Sequence, residues 1–548
     1  MNSEEKEETD WALDAFSSAI SSFFLRKVPG EEGKALANLA GELARQAGCG
    51  ASYLTAAQAE EIFENWSELP AVGHDSENLP LVRTRDKKLY FRRYYEYEKQ
   101  VADTLGKRLI KENGERSSEE WDNDLFQSLD ERQMLAVKTA LRKDLLLLTG
   151  GPGTGKTRTI VAIILAVLQR NANSSIALAA PTGKAAFRMR ESILSSLESF
   201  GLEDSLRLVL LECSRSTTLH RLLGTKFGSV DFLRNQDNPL HHDLVIIDEA
   251  SMVDLPLMSK LCASLRDETK LVLVGDADQL SPVQGGAVFN GLIKASKAES
   301  YLADNLVRLA TNHRRSISPS SFALGELCDA VRDGKAEEAL ALAKSGAEGI
   351  RFIENLNDPS IDQSIRACFD SLTNADSPDS ALSAIGNFRI LCPHNQGHFG
   401  VENWNRRANS LLPSEEFNPR PVIVGVNDYS IGLFNGDDGV LMGKKAYFIA
   451  DEGTREVSRS RLPDHRAGYA SSIHRSQGSE FEEVMIILPP AEAKLLTREL
   501  LYVGVSRAKR SVTIVGNTDA LKAAVERSEK VSSGVLDMIE SSYGKRMK

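Results

Sequence analysis

Gly150-Gly151-Pro152-Gly153-Thr154-Gly155-Lys156-Thr157 fits the pattern G-x-x-x-x-G-K-[ST], a loop built to hold phosphate. It follows the apolar run Leu145-Leu-Leu-Leu148 and precedes another, Ile160 to Leu168, which is the strand–loop–helix context such a loop requires. Its glycines let backbone N–H groups wrap a phosphate closely, and the helix that follows adds the positive end of its dipole. In this pattern Lys156 reaches the β- and γ-phosphates and the Thr157 hydroxyl sits on Mg²⁺. The bland alternative is a glycine-rich turn with an incidental lysine. With 39 glycines in 548 residues, chance supplies about 0.02 such matches, so the pattern reads as a nucleoside triphosphate site.

Whole-chain figures set limits on the rest. The length leaves room for about three or four domains, each with its own core. A hydrophobic fraction of 42% and a charged fraction of 26% are ordinary for a soluble globular chain. The opening Met1-Asn-Ser-Glu-Glu-Lys-Glu-Glu8 is acidic where a signal peptide is basic. The longest apolar runs fall well short of the roughly 20 residues that a membrane span needs. The expectation is a cytoplasmic protein. Six cysteines stand apart with no C-x-x-C pair, which favours free thiols over a zinc site or disulfides. A net charge of −11 is the wrong sign for a protein that coats nucleic acid, but it leaves a local basic channel open.

Along the chain, Trp11 to Lys27, Lys34 to Ala47 and Thr55 to Asn65 have helical apolar spacing. Leu81-Val-Arg83 and Leu89-Tyr-Phe91 flank Asp86-Lys87-Lys88 as a hairpin would. Arg92-Arg-Tyr-Tyr-Glu-Tyr97 mixes bases with aromatics and could stack on nucleic acid, although one half-buried helix face is the commoner meaning. Glu112 to Glu120 is polar and reads as a linker. Beyond it, Leu145–Leu148, Ile176–Ala180, Leu244–Ile247 and Leu271–Val274 alternate with helical segments, the signature of a parallel α/β sheet. A second set comprises Arg389–Cys392, Glu483–Leu488 and Ser511–Val515. Between its members, roughly 413 to 466, short runs and turns predict a small antiparallel β insertion.

Two further stretches carry chemistry. Leu244-Val-Ile-Ile-Asp248-Glu249-Ala-Ser251 is an apolar strand that ends in two acids. Asp248 would hold Mg²⁺ through water and Glu249 would take the proton of an attacking water. Val274-Gly-Asp276-Ala-Asp-Gln279-Leu-Ser-Pro-Val283 repeats the strand-then-polar pattern and places Gln279 to sense a γ-phosphate. Phosphoryl transfer asks mainly for positioning and charge neutralisation, which such groups supply.

Together these three stretches resemble motifs I, II and III of superfamily 1 helicases. Gln133 resembles the adenine-reading glutamine upstream of the phosphate loop. Ala180-Pro-Thr182-Gly-Lys184-Ala-Ala186 resembles motif Ia, Asn312-His-Arg314 motif IV, Tyr469 to Phe481 motif V, and Tyr502-Val-Gly-Val-Ser-Arg507-Ala-Lys509 motif VI. Within that superfamily the chain resembles the RecD subunits of bacterial RecBCD (exonuclease V) complexes. The stretches concerned are Thr218-Leu-His220-Arg-Leu-Leu-Gly224, Arg389-Ile-Leu-Cys392, Phe399-Gly-Val-Glu402 and Asn427 to Asp437. The likeness runs from about 125 to 515 and is weaker before it. Motif V commonly has a lysine where this chain has Arg475, and His313 stands where an aromatic is frequent.

The resemblance implies an α/β fold with two RecA-like P-loop NTPase domains, at 116–300 and 301–548, the second carrying an SH3-like insertion near 413–466. It implies a mostly helical unit at 1–115 that docks on RecB-like and RecC-like companions. Because that unit adds nothing the nucleotide site requires, a fragment from Trp121 onward is expected to keep its ATPase. The implied activity is ATP- and Mg²⁺-dependent 5′→3′ DNA unwinding, with ATP between the motor domains and Arg314 and Arg507 reaching it. Such arginines contribute roughly 10³ to 10⁵ in rate, against about 0–1 kcal/mol for a surface ion pair. Thr182, Lys184, His220, His474, Ser476 and Gln477 are the implied DNA contacts. A nuclease centre would need clustered carboxylates and a lysine; Asp464 with Glu492 and Lys494 is the nearest imitation, so nuclease activity is expected in a partner. A stand-alone RecD-like helicase and a non-translocating ATPase switch or assembly subunit stay open as alternatives. Phe227 to Leu240 reads equally as a strand-separating hairpin or a plain loop.

Overall fold

A computed structural model describes residues 7–547, apart from 49, 111–125, 200–216, 227, 283–285, 297–301, 312–318, 414–417, 429, 451–452 and 530–532. The chain divides into two compact units. The first comprises residues 1–277, 281–310 and 530–548, the second 278–280 and 311–529.

In the first unit, the apolar run before the phosphate loop is the strand Leu145–Gly150. It lies inside a six-stranded sheet ordered Leu306–Leu309, Leu145–Gly150, Lys270–Gly275, Leu244–Ile247, Ile176–Ala180 and Thr217–Thr218, every pair parallel. Parallel sheets are covered on both faces, which is why the inner strands carry apolar residues in continuous runs rather than at alternate positions. Leu146, Leu148, Ile246 and Val272 enter one core with the Glu131–Arg142 and Lys156–Arg170 helices. Leu145, Leu147, Val245 and Leu271 enter the other, with Leu255, Met258 and Leu261 of the Leu255–Ser264 helix. The sheet also runs past residue 300: Leu306-Val-Arg-Leu309 pairs with the phosphate-loop strand. This strand is too short to stand out by pattern and falls in the range that the sequence assigns to the second motor domain.

The N-terminal region holds the expected helices, as Glu7–Lys27, Gly30–Gly48 and Ala56–Ile62, the last begun by a capping box between Thr55 and Gln58. Leu81–Arg83 and Leu89–Phe91 pair antiparallel as a hairpin, with Lys87 at φ 58° in its turn. The following Arg92–Ile110 helix, however, puts Val101, Ala102 and Leu105 into the same core as Leu145 and Leu147. Its Arg108 is buried and donates to the carbonyls of Thr104 at 3.0 Å, Arg266 at 2.7 Å and Thr269 at 3.3 Å. Residues to 110 thus pack within the first compact unit, not apart from it.

The chain's last helix, Val535–Met547, also belongs here, with Val535 and Ile539 in that core. Glu98, fully buried, accepts hydrogen bonds from Ser52 Oγ at 2.6 Å, Gly534 N at 2.9 Å and Ser533 Oγ at 3.1 Å, so one carboxyl joins three distant segments. Burial raises its pKa above the usual carboxylate range. The sequence offers no periodic signal for this return of the C-terminus.

The second unit has its own five-stranded parallel sheet, ordered Ile350–Ile353, Ala508–Val515, Phe481–Ile487, Phe388–Cys392 and Ala470–Ser472. The expected β insertion is a five-stranded antiparallel sheet of Gly453–Ser458, Lys445–Ala450, Asp438–Met442, Arg420–Val424 and His465–Ala467. Among the described residues no helix is long and apolar enough to cross a membrane.

These contacts reverse one expectation. A fragment from Trp121 keeps the phosphate loop but strips Val101, Ala102 and Leu105 from the core beneath it. Each such side chain contributes roughly 1–3 kcal/mol by burial. The fragment should be insoluble or melt well below the full chain in a thermal scan, and an unchanged midpoint would contradict this packing.

Candidate nucleotide and strand sites

The phosphate loop leaves its strand at Gly150, where the chain approaches its neighbours too closely for a side chain. A Cβ there would lie 2.6 Å from Thr154 Oγ1 and 3.0 Å from Leu309 Cβ. Gly153 and Gly155 adopt φ of 77° and 83°, the left-handed region that glycine reaches without strain. Gly155 is also the N-cap of the Lys156–Arg170 helix and offers no side-chain cap, so the first-turn N–H groups face the loop. Lys156 Nζ donates to the carbonyls of Gly150 at 2.7 Å and Gly151 at 3.2 Å. Thr154 Oγ1 donates to Gly151 O at 2.8 Å, and Pro152 sits half-buried between them. Thr157 follows Lys156 on the first turn, also half-buried.

Gln133 is buried at the third position of its helix, in a reciprocal box with Asp130: its N–H donates to Asp130 Oδ1 at 2.8 Å and its Oε1 accepts from Asp130 N at 3.2 Å. Its Nε2 is buried without a hydrogen-bond partner in the structure. A buried amide left in that condition costs about 1–3 kcal/mol unless a ligand meets it. Asp130 is a supporting residue that belongs to none of the motifs, although the D-x-x-Q spacing of a capping box signals it.

The acid pair closes the Leu244–Ile247 strand of the same sheet. Burial pushes the Asp248 carboxyl up to about 7; neighbouring Glu249 adds to the rise and Lys156 opposes it. Glu249 has φ 51°, one of only two left-handed non-glycine residues among those described. Its backbone N–H donates to Asp248 Oδ1 at 2.8 Å, and its Oε2 is buried without a hydrogen-bond partner in the structure. A left-handed glutamate costs about 1–3 kcal/mol, the kind of strain that collects at functional sites. Lys156, Asp248 and Glu249 are therefore brought together in one unit, with an orphaned carboxylate oxygen and an uncapped helix start beside them. That donor set suits a polyphosphate and a hard divalent cation.

Gln279 is buried in the short 278–280 piece that packs with the second unit. Arg507, at the C-cap of the Arg498–Ser506 helix, is buried and donates to Val503 O at 3.2 Å, Ser479 O at 3.1 Å and Ser506 Oγ at 3.0 Å. Among the described residues no carboxylate lies within ion-pair distance of it, so it is not a surface ion pair. Arg314, with Asn312 and His313, lies outside the described residues.

The implied strand contacts have unequal surroundings. Thr182 Oγ1 accepts from Ala185 N at 3.2 Å and so starts the Gly183–Ser199 helix, on which Lys184 is half-buried. His220 is exposed, edge-on to Phe232 at 5.7 Å, beside a groove of about 730 Å³ that Arg93, Tyr94 and Tyr97 also line. Arg93 Nε donates to Tyr97 Oη at 2.7 Å. Arg92 instead donates to the carbonyls of Leu79, Asp75 and His74, and Tyr95 is buried, so most of Arg92–Tyr97 is an ordinary packed helix face. Residues 228–240 form a folded loop with one antiparallel bridge, Thr225 to Phe232, and an exposed Val230.

In the second unit, burial pushes the His474 imidazole below its usual pKa. Ser476 Oγ donates to Ile473 O at 2.7 Å and Gln477 Nε2 to Leu280 O at 3.3 Å, both from buried side chains. Arg475, which stands where lysine is common, donates to Asn435 Oδ1 within the β insertion. The fork of a guanidinium suits that second acceptor.

Family models match in two places: an AAA domain at residues 133–285 and a UvrD-like helicase C-terminal domain at residues 467–515. The RecBCD enzyme subunit RecD of Mycobacterium tuberculosis is 36% identical over 83% of this chain and 81% of its own length. That of Mycolicibacterium smegmatis is 37% identical, over 83% of each. A solved Pif1 helicase from Bacteroides, in complex with ADP-AlF3 and ssDNA, is 19% identical with a TM-score of 0.40, over 76% of this chain and 97% of that one.

The raised Asp248 pKa has a signed consequence. An unfolded aspartate titrates near pH 3.9, so between there and about 7 the fold holds a proton that the unfolded chain has released. Stability in the absence of Mg²⁺ should fall as pH rises through that window and level off above it. Asp248→Asn should remove the fall, giving a higher thermal midpoint than the parent at pH 8 and a smaller advantage at pH 5. An advantage independent of pH would contradict the assignment.

Proposed function

We infer the function from one premise: the chain belongs to the RecD family of RecBCD enzyme subunits. We propose that it is an ATP-dependent DNA helicase, moving 5′→3′ on single-stranded DNA and opening duplex. It would work in the cytoplasm within a heterotrimer with RecB-like and RecC-like chains, in double-strand break repair, recombination and degradation of linear DNA. The nuclease activity is assigned to a partner. The observation that carries this reading is the uncapped Lys156–Arg170 helix start with Lys156, Asp248 and Glu249 beside it. The two parallel sheets are proposed as RecA-like motors and the antiparallel insertion as an SH3-like module.

In this reading Lys156 exchanges the Gly150 and Gly151 carbonyls for β- and γ-phosphate oxygens. Thr157 and Asp248 would hold Mg²⁺, which would supply charge neutralisation there. Glu249, with its free Oε2, takes the proton of the attacking water, and Gln133 offers Nε2 to the adenine. Gln279, Arg314 and Arg507 are assigned to the γ-phosphate, where a guanidinium stabilises charge that develops in the transition state. Thr182, Lys184, His220 and His474 are assigned to the strand. Ser476 and Gln477 are assigned to the strand as well, exchanging the carbonyls of Ile473 and Leu280 that now engage their side chains.

Lys156→Gln should abolish both ATP hydrolysis and unwinding, whereas Glu249→Gln should bind ATP and fail to turn it over. Residual hydrolysis above a few per cent in either would count against these roles.

ATPase activity should require Mg²⁺ and rise strongly with single-stranded DNA, and DNA affinity should weaken with salt as counterion release demands. A rate indifferent to DNA would favour the switch reading. On forked substrates unwinding should need a 5′ tail; a strict 3′ requirement would remove the polarity and leave the helicase.

A further inference from the structure

We propose that Thr149 is a positioning residue that ties the phosphate loop to Gln279, an inference that rests on the helicase reading above. Thr149 is the penultimate residue of the Leu145–Gly150 strand, held between Gly275 on one neighbouring strand and Arg308 on the other. It is 3% exposed. After four leucines a hydroxyl in this position is out of pattern, since a valine would fill the same volume without a polar group to satisfy. The hydroxyl is satisfied in one specific way, as Oγ1 accepts the backbone N–H of Ala277 at 3.2 Å. Ala277 is the last residue before the 278–280 piece that carries Gln279.

On its other side, Thr149 shares a peptide with Gly150, whose carbonyl accepts Lys156 Nζ at 2.7 Å. A short route therefore joins the ammonium that meets phosphate to the segment that carries Gln279. It runs from Lys156 to the Gly150 carbonyl, back through the Gly150 backbone to Thr149, and from its hydroxyl to Ala277. When Lys156 turns to a phosphate it releases Gly150, and the peptide it had held is free to settle anew. The Ala277 N–H follows, because its acceptor lies on the neighbouring residue. Thr149 touches no part of the nucleotide in this scheme. It makes the position of Gln279 depend on the state of the loop, and removing its hydroxyl leaves a buried N–H without its acceptor.

The test uses the full-length chain as Thr149→Val, which keeps the shape, and Thr149→Ser, which keeps the hydroxyl. Binding of a fluorescent ATP analogue and steady-state ATPase with oligo-dT are measured for each. In the valine variant kcat should fall about five- to tenfold while analogue affinity stays within about twofold. The serine variant should recover kcat to within about twofold of the parent. Unchanged kcat in the valine variant, a loss of affinity as large as the loss of kcat, or no recovery with serine would overturn the proposal. If the parent shows no stimulation by DNA, the helicase reading fails by itself. Thr149 is then judged by the same comparison on the basal rate.

Discussion

Leu145, Leu146, Leu147 and Leu148 enter two different cores in turn, and the nucleotide site depends on that division. A strand wanted by both faces of a sheet cannot slip by one residue without exchanging its two sets of neighbours. Its end is consequently fixed, and so is the point at which Gly150 turns the chain into the phosphate loop. The Leu244–Ile247 strand is held by the same alternation, with Val245 and Ile247 on one side and Leu244 and Ile246 on the other. Asp248 and Glu249 are thereby delivered to the same end of the sheet as Lys156. Apolar packing sets the register, and the charged groups receive their positions from it.

That arrangement accounts for the site's stored cost. A left-handed glutamate, a carboxyl pushed up to about 7 and a buried amide donor without a partner each oppose folding. They persist because the strand and helix that carry them are over-determined by burial. A bound nucleoside triphosphate with a divalent cation would relieve two of them: its base would meet the amide donor and the cation would favour the ionised Asp248. The same residues read as merely structural leave those two costs unanswered.

The parts legible in the sequence were those whose signal is local. The phosphate loop, the acid pair and the inner strands of both parallel sheets are contiguous runs, whereas Thr217–Thr218, Leu306–Leu309, Ile350–Ile353 and Ala470–Ser472 are too short to stand out; the β insertion announces itself by turns between short strands. What escaped were contacts made at long range by residues that look ordinary. Val101, Ala102 and Leu105 carry helical spacing, which says that a face is buried but not against what. A polar linker after that helix invited a boundary where the core has none. Val535 and Ile539 belong to a terminal helix whose apolar positions are too few to declare a partner. Glu98 is a plain helical glutamate until Ser52, Ser533 and Gly534 are seen to converge on it.

The Arg92–Ile110 and Val535–Met547 helices therefore finish a core of the six-stranded sheet that the central segment leaves open. The face of the sheet formed by Leu145, Leu147 and Leu271 is covered partly by the Leu255–Ser264 helix and partly by the Arg92–Ile110 helix. Arg108 fixes the latter by donating to three backbone carbonyls, two of them at Arg266 and Thr269, just before the Lys270–Gly275 strand. That strand leads directly to Ala277, whose N–H is held by Thr149. A guanidinium at one end of the strand and a hydroxyl just beyond the other thus pin a single β element. Such a strand tolerates little axial movement, because slipping it along the sheet would break the hydrogen bonds at both ends together.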